Sequence, residues 1–209
     1  MDPTAMDLQS RCMATGRFDR DYYQRFYRDP KTRVYEPADV ERMARFVLAW
    51  CERLDLPLRA VADLGCGLGY WRDALRTLAP RARYRGVEIS DYLCDTMGWE
   101  KGSVVDWRGR GTYDLVICHG VLQYLSTAEA ALAIDNLASL CRGVLFLEAL
   151  TKADWEENCD RSLTDGKVHL RTGAWYRRRL APHFVGLGGG VWLKRETGIA
   201  VFELERTDG

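Results

Sequence analysis

The segment Asp63-Leu64-Gly65-Cys66-Gly67-Leu68-Gly69 holds the residues of this chain best suited to chemistry. Its three glycines at alternate positions let the backbone turn sharply and approach a ligand with no Cβ in the way. A helix that begins with Tyr70 and Trp71 would then present free N–H groups to anything anionic. Glycines alone are a weak signal, because tight strand-to-helix turns use them for purely structural reasons; the acid two residues upstream strengthens it. Further along, Gly86-Val87-Glu88-Ile89-Ser90, Ser103-Val104-Val105-Asp106-Trp107 and Leu115-Val116-Ile117-Cys118-His119-Gly120 each carry a polar group at the end of an apolar run. Glu88 and Asp106 offer carboxylate acceptors, and His119 offers an imidazole whose ordinary pKa suits proton transfer near neutrality. Shaping a pocket is the plainer role for His119.

These residues need strands and helices to hold them, and the chain supplies an alternation of both from residue 59 onward. Residues 59–64 read as a short apolar strand ending at Gly65, and Trp71, Ala74, Leu75 and Leu78 share one helical face that stops at Pro80. Tyr84 to Ile89 reads as a second strand, Val104-Val105 as a third, and Tyr113 to Cys118 as a fourth, apolar enough to be covered on both faces. Ser126 and Glu129 form a capping box for a helix carrying Ala130, Ile134, Leu137, Ala138 and Cys141. Val144 to Leu147 reads as a fifth strand, followed by an irregular polar insert over 151–170 and a helix capped by Thr172 that reaches Leu180. Phe184-Val185, Val191 to Leu193 and Ile199 to Leu204 are strand-like. Glu196-Thr197-Gly198 is too short for a crossover helix, so the last two are expected to form an antiparallel hairpin. The Gly188-Gly189-Gly190 run reads as a bend.

The acidic residue followed by G-x-G-x-G resembles the first motif of the class I S-adenosylmethionine-dependent methyltransferases, and Tyr113 to Leu125 resembles their fourth-strand motif. A dinucleotide fingerprint would place its third glycine three positions after the second, whereas here it follows after two. The resemblance implies a Rossmann-like, doubly wound mixed α/β sheet of about seven strands, with a C-terminal antiparallel hairpin and helices on both faces. It implies S-adenosyl-L-methionine as cofactor, held by Asp63, Gly65, Cys66, Gly67, Tyr70 and Trp71 around the first loop. Glu88, with Ile89 beside it, would accept from both ribose hydroxyls. Asp106 would pair with the adenine amino group and Trp107 would line the ring, while Cys118 and His119 would lie beneath the methionine end. A leader folded over the cofactor as a lid is also implied, with Tyr27 in it and Arg33 meeting the methionine carboxylate. Residues 1–20 are expected to be a mobile leader, 21–58 a helical segment and candidate lid, and 59–209 the core of a single domain.

On the acceptor side the candidates are Tyr23 and Tyr124, and, in and around the insert, Glu148, His169, Arg171 and Trp175, with His119 as candidate catalytic base. The 209 residues balance 30 Lys+Arg against 30 Asp+Glu. That zero net charge speaks against a nucleic-acid partner and for a small-molecule methyl acceptor. No run of 18 apolar residues and no signal peptide is read, so a cytoplasmic chain is expected. The seven cysteines and three histidines are scattered, which predicts reduced thiols, mainly in the core, and no metal site. The alternatives are a catalytically silent cofactor-binding scaffold and, disfavoured by the glycine spacing, a nucleotide-cofactor oxidoreductase. Oligomeric state and the acceptor atom are not encoded in these signals.

Overall fold

The structure, a computed structural model, describes residues 16–207. The leader expected over residues 1–20 therefore lies mostly outside the described residues. A short helix α1 (Arg20–Tyr23) runs into a π-helical turn (Gln24–Arg28), and α2 (Pro37–Arg53) follows. Strands β1 (Ala60–Leu64), β2 (Arg83–Glu88), β3 (Glu100–Lys101), β4 (Tyr113–His119) and β5 (Cys141–Glu148) alternate with helices α3 (Tyr70–Leu78), α4 (Asp91–Met97) and α5 (Thr127–Leu140). After β5 come α6 (Lys152–Glu157), α7 (Gly173–Leu180), β6 (Phe184–Gly188) and β7 (Val191–Lys194).

The strands form one sheet in the order β3-β2-β1-β4-β5-β7-β6. The first five are mutually parallel, and β7 runs antiparallel to both β5 and β6. Alternation along each strand divides two apolar layers. Val61, Leu115, Ile117, Val144 and Phe146 point to the layer built by Val40, Ala44, Val47 and Cys51 of α2 and Trp71, Ala74 and Leu75 of α3. Ala62, Leu64, Val116, Cys118, Leu145 and Leu147 point to the layer of α5 and α7, with Ile134, Leu137 and Leu180. Both layers are buried apolar surface of the kind that dominates folding free energy. The order reverses between β1 and β4, so the strands' carboxyl ends open a crevice there, where doubly wound sheets bind ligands. Among the described residues no helix is long and apolar enough to cross a membrane.

Two elements differ from expectation. Residues 104–106 form a turn, and the third strand is the exposed pair Glu100–Lys101. Val104 and Trp107 fold inward instead, Trp107 stacking near Tyr113 and donating its indole N–H to Glu100 at 2.8 Å. The antiparallel hairpin is β6–β7, turned at Gly188 to Gly190, one element earlier than expected. Arg195–Thr197 is a 3₁₀ turn that stops pairing, and residues 199–204 form no strand. The six described cysteines are free thiols, with Cys51, Cys66, Cys118 and Cys141 buried.

Candidate active site

The loop after β1 takes its shape from glycine. Gly65 has φ +83°, and a Cβ there would come within 2.3 Å of Val121 Cγ2, so the turn both needs the left-handed region and is pressed against the β4 tip. Gly67 has φ +52°, and an added Cβ would meet nothing within 4 Å, so its Cα face is an open cradle. α3 begins immediately after this loop, at Tyr70.

Glu88, at the tip of β2, is buried among the backbone amides of the same crevice. Its Oε1 accepts from Ile89 N–H at 2.8 Å and Ser90 N–H at 3.0 Å, and its Oε2 accepts from Gly67 N–H at 2.9 Å. Burial raises its pKa, while those three amides work in the opposite direction. Asp63, at the tip of β1, accepts from the Tyr84 hydroxyl at 2.5 Å. Burial pushes its carboxyl up to about 7, against the pull of Tyr84 and of His119.

A second group forms where β4 and β5 end. Their parallel register sets His119 beside Glu148, and Gly120 N–H to Glu148 carbonyl at 2.9 Å ties the two tips together. The Trp71 indole N–H lies 3.2 Å from His119 Nδ1. An indole can only donate, so Nδ1 is the acceptor and a neutral imidazole carries its proton on Nε2. That Nε2 faces Glu148 Oε1 at 3.6 Å, beyond a formed hydrogen bond, and is buried with no hydrogen-bond partner among the described residues. The Tyr35 hydroxyl donates to the same Oε1 at 2.6 Å. Burial works to raise the Glu148 carboxyl, but His119 and Tyr35 together bring it below the ordinary carboxylate range.

Two cavities meet along this edge. The larger, of about 520 Å³, is lined by Arg33, Tyr35, Asp63, Trp71, His119 and Glu148, among others. The smaller, of about 140 Å³, is lined by Glu88, Ile89, Gly102, Ser103 and Val104, among others. Gly65, Gly67, Tyr22, Tyr27, His119, Gly120 and Tyr124 line both. The segment from Arg17 to Tyr35 lies over this junction, with the Tyr22 hydroxyl 2.8 Å from that of Tyr124 and the Tyr70 hydroxyl donating to the Tyr27 carbonyl at 3.2 Å. Burial raises the pKa of the Tyr22, Tyr23 and Tyr27 hydroxyls and of the Cys66 and Cys118 thiols, so all stay neutral at physiological pH.

Of the expected site residues, the structure thus gathers Asp63, Gly65, Cys66, Gly67, Tyr70, Trp71, Glu88, Ile89, His119, Tyr23, Tyr27, Arg33, Tyr124 and Glu148 around the two cavities. Others stand apart. Asp106 is exposed outside both, because the turn at 104–106 points it away; Gly102, Ser103 and Val104 reach the smaller cavity from that loop. Trp107 and Cys118 are core residues. His169 is exposed, and what it contributes is a backbone N–H to the Gln123 carbonyl at 2.7 Å. Arg171 is buried and donates to the carbonyls of Leu122 and Leu125 and to the Tyr176 hydroxyl, which makes it a structural clamp. Trp175 packs edge-on against Tyr176, away from the cavities. Tyr35 was missed in the sequence, since nothing local marks a tyrosine as the partner of a carboxylate 113 residues away.

Two features test whether these residues fit S-adenosylmethionine. Gly67 leaves its cradle clear of side chain. Arg33, although its guanidinium pairs with Glu36, has its Nε buried in the cavity wall with no hydrogen-bond partner among the described residues. A buried carboxylate, a clear glycine turn and a guanidinium in the cavity wall are therefore all present, the groups such a cofactor would require.

Residues 62–143 match the family model described as "Methyltransferase domain". Among curated protein sequences no relative matches the chain. Solved structures similar to it include magnesium protoporphyrin IX methyltransferase from Synechocystis PCC 6803 with bound S-adenosylmethionine, at 19% identity, covering 88% of this chain and 97% of that one, TM-score 0.59. The plantazolicin methyltransferase BpumL, in complex with a pentazolic desmethylPZN analog and S-adenosylhomocysteine, is 12% identical over 83% of this chain and 74% of that one, TM-score 0.63. DesVI from Streptomyces venezuelae is 14% identical over 76% and 90%, TM-score 0.55. At these identities the likenesses establish the fold, and the domain match adds the activity class. By its domain match over residues 62–143 and by its fold, the chain is thus similar to S-adenosylmethionine-dependent methyltransferases.

Proposed function

We propose that the protein methylates a small molecule bound in the larger cavity, with the cofactor's adenosine end in the smaller one and its sulfur near the Gly65–Gly67 junction. The observation that carries this reading is the junction itself: two cavities share a wall of glycine backbone, with Glu88 at one end and Glu148 and His119 at the other. S-Adenosylmethionine, when bound, supplies a methyl group already activated by its sulfonium, so the protein's task is alignment and exclusion of water. In this reading Glu88, held in place by its amide partners, would accept from the ribose with its remaining lone pair, and Arg33 would meet the methionine carboxylate. The aromatic segment from Phe18 to Tyr35, the part of the 21–58 region that lines the cavities, is the cover. α2 belongs to the packed layer beneath.

The cavity of about 520 Å³ has the size of ordinary small-molecule sites, and the similar structures include a magnesium protoporphyrin IX methyltransferase. His119 serves here as a positioning donor, because Trp71 occupies the nitrogen a base would use. The test is methyl transfer from labelled S-adenosylmethionine into fractionated cell extract. Label is expected in the small-molecule fraction; label confined to RNA or protein would overturn the reading. Cofactor binding with no transfer to any fraction would identify a silent scaffold instead.

A further inference from the structure

The larger cavity is asymmetric in charge. Among the described residues Glu148, Asp154 and Asp160 line it without a cation in salt-bridge contact, whereas its one guanidinium, Arg33, is already paired with Glu36. Asp165, also in the wall, is neutralised by Arg17 at 2.6 Å. Asp154 and Asp160 are occupied in local turns, with Thr151 and Ser162 respectively. Glu148 differs from them. Tyr35 and His119 both address one oxygen, Oε1, and among the described residues Oε2 has no hydrogen-bond donor. The carboxylate is 42% exposed, whereas the His119 side chain behind it is only 10% exposed, its Nε2 directed at Glu148 and the cavity. Aromatic side chains line the same cavity: Phe26, Tyr27 and Tyr35 from the cover and Trp71 from α3.

We infer that the methyl acceptor is an amine, recognised through its N–H groups by Glu148 Oε2 against an aromatic wall. This inference rests on the methyltransferase reading above and names its substrate class. A carboxylate with one oxygen taken by a hydroxyl donor and faced by an imidazole, and the other open, recognises a donor, and aromatic faces favour a cation. The chemistry agrees. An acceptor bound as its ammonium first gives one proton to water; the lone pair so freed forms the new N–C bond as the methyl C–S bond breaks, and the C–S electron pair stays on sulfur. The positive charge passes from sulfur to nitrogen, where the product keeps it as an ammonium until water takes its proton after release. A fixed anion beside the nitrogen is stabilising as that charge develops. A hydroxyl acceptor, far less acidic than an ammonium, would instead require a group of the protein to take its proton. Glu148 is poorly suited to that because its carboxyl lies below the ordinary range, and His119 because Trp71 holds its Nδ1.

The test uses the full-length protein saturated with S-adenosylhomocysteine and a matched probe pair, benzylamine and benzyl alcohol, titrated by calorimetry at pH 7.5. Benzylamine, present as benzylammonium, is expected to bind at least roughly tenfold more tightly than the alcohol. Glu148→Gln should abolish that preference while leaving S-adenosylhomocysteine affinity within about twofold, and Glu148→Asp should restore part of it. Equal or tighter binding of benzyl alcohol to the wild-type protein would overturn the inference, as would a preference that survives Glu148→Gln. Should Glu148→Gln fail to fold, the wild-type pair and Glu148→Asp still decide. Failure of the wild-type protein to bind S-adenosylhomocysteine is a separate result and would take the methyltransferase reading down with it.

Discussion

Glu88 and Glu148 stand at the tips of strands on opposite sides of the same crevice, yet they are held by different means. Glu88 is bound by three backbone amides, two of them from the residues that follow it, and the third from the glycine loop. Glu148 is held by side chains from distant parts of the chain, through a hydrogen bond from Tyr35 and a longer contact of 3.6 Å with His119. A carboxylate held by its own loop keeps its geometry wherever that loop forms. One held by side chains depends on a second strand and on a segment laid across the top. The first arrangement suits a cofactor common to many enzymes, and the second suits an acceptor that differs from one enzyme to the next.

A third carboxylate, Asp63, extends the comparison, because a single hydroxyl holds it in the core. Its pKa is raised to about 7, so the stability it contributes is complete below its unfolded value near 4. That stability is lost as pH climbs through 7. The melting temperature of the wild type relative to Asp63→Asn should therefore fall between pH 4 and pH 8, by the equivalent of up to about 4 kcal/mol. A pH-independent difference would show that Tyr84 keeps Asp63 ionised throughout. Glu88→Ala comes next: S-adenosylhomocysteine affinity should drop roughly 100-fold, about 2.7 kcal/mol, as charge-assisted hydrogen bonds are lost. Unchanged affinity in calorimetry would remove Glu88 from the cofactor site.

Gly65→Ala should cost about 2 kcal/mol of folding stability, through the left-handed conformation and the clash with Val121. Gly67→Ala should cost less in denaturant titrations, since nothing lies within 4 Å, but should weaken S-adenosylhomocysteine binding by filling the cradle. If the two substitutions proved equal in both measurements, the difference drawn between the two glycines would be wrong. The smallest effect is expected at Tyr35→Phe. Removing the hydroxyl donor to Glu148 should reduce the preference for benzylammonium over benzyl alcohol several-fold, about 1 kcal/mol, with S-adenosylhomocysteine affinity unchanged. A matching loss of cofactor affinity would place Tyr35 on the cofactor.

The same contrast governs what the sequence revealed. β1, the glycine loop and Glu88 were legible because their interactions are local and their residue types are dictated by backbone geometry. The capping box at Ser126 and Glu129 was legible for the same reason. The third strand was misplaced because Val104-Val105 has the composition of a strand, while the true edge pair Glu100–Lys101 is exposed and polar. Asp106 was carried out of the site by that error. Arg171 looked like a ligand-binding group because it is a cation in a polar insert. Its role is fixed by carbonyls about 46 and 49 residues earlier, which no local pattern encodes. Tyr35 is the converse case, an ordinary residue given its meaning by tertiary contact.

The insert after β5 has its two ends tied together: Thr151 bridges to Arg171, Lys152 N–H bonds the Arg171 carbonyl at 2.9 Å, and the Arg171 guanidinium anchors the junction to the turn after β4. Residues 153–170 therefore start and finish at one fixed point on the scaffold, so replacing or lengthening them changes the closure entropy only slowly and leaves the sheet untouched. Such a segment behaves as an exchangeable cassette. Asp154, Asp160 and Asp165 all lie in it, so mutation or grafting within that stretch could retune the acceptor pocket while the cofactor half of the enzyme is inherited unchanged.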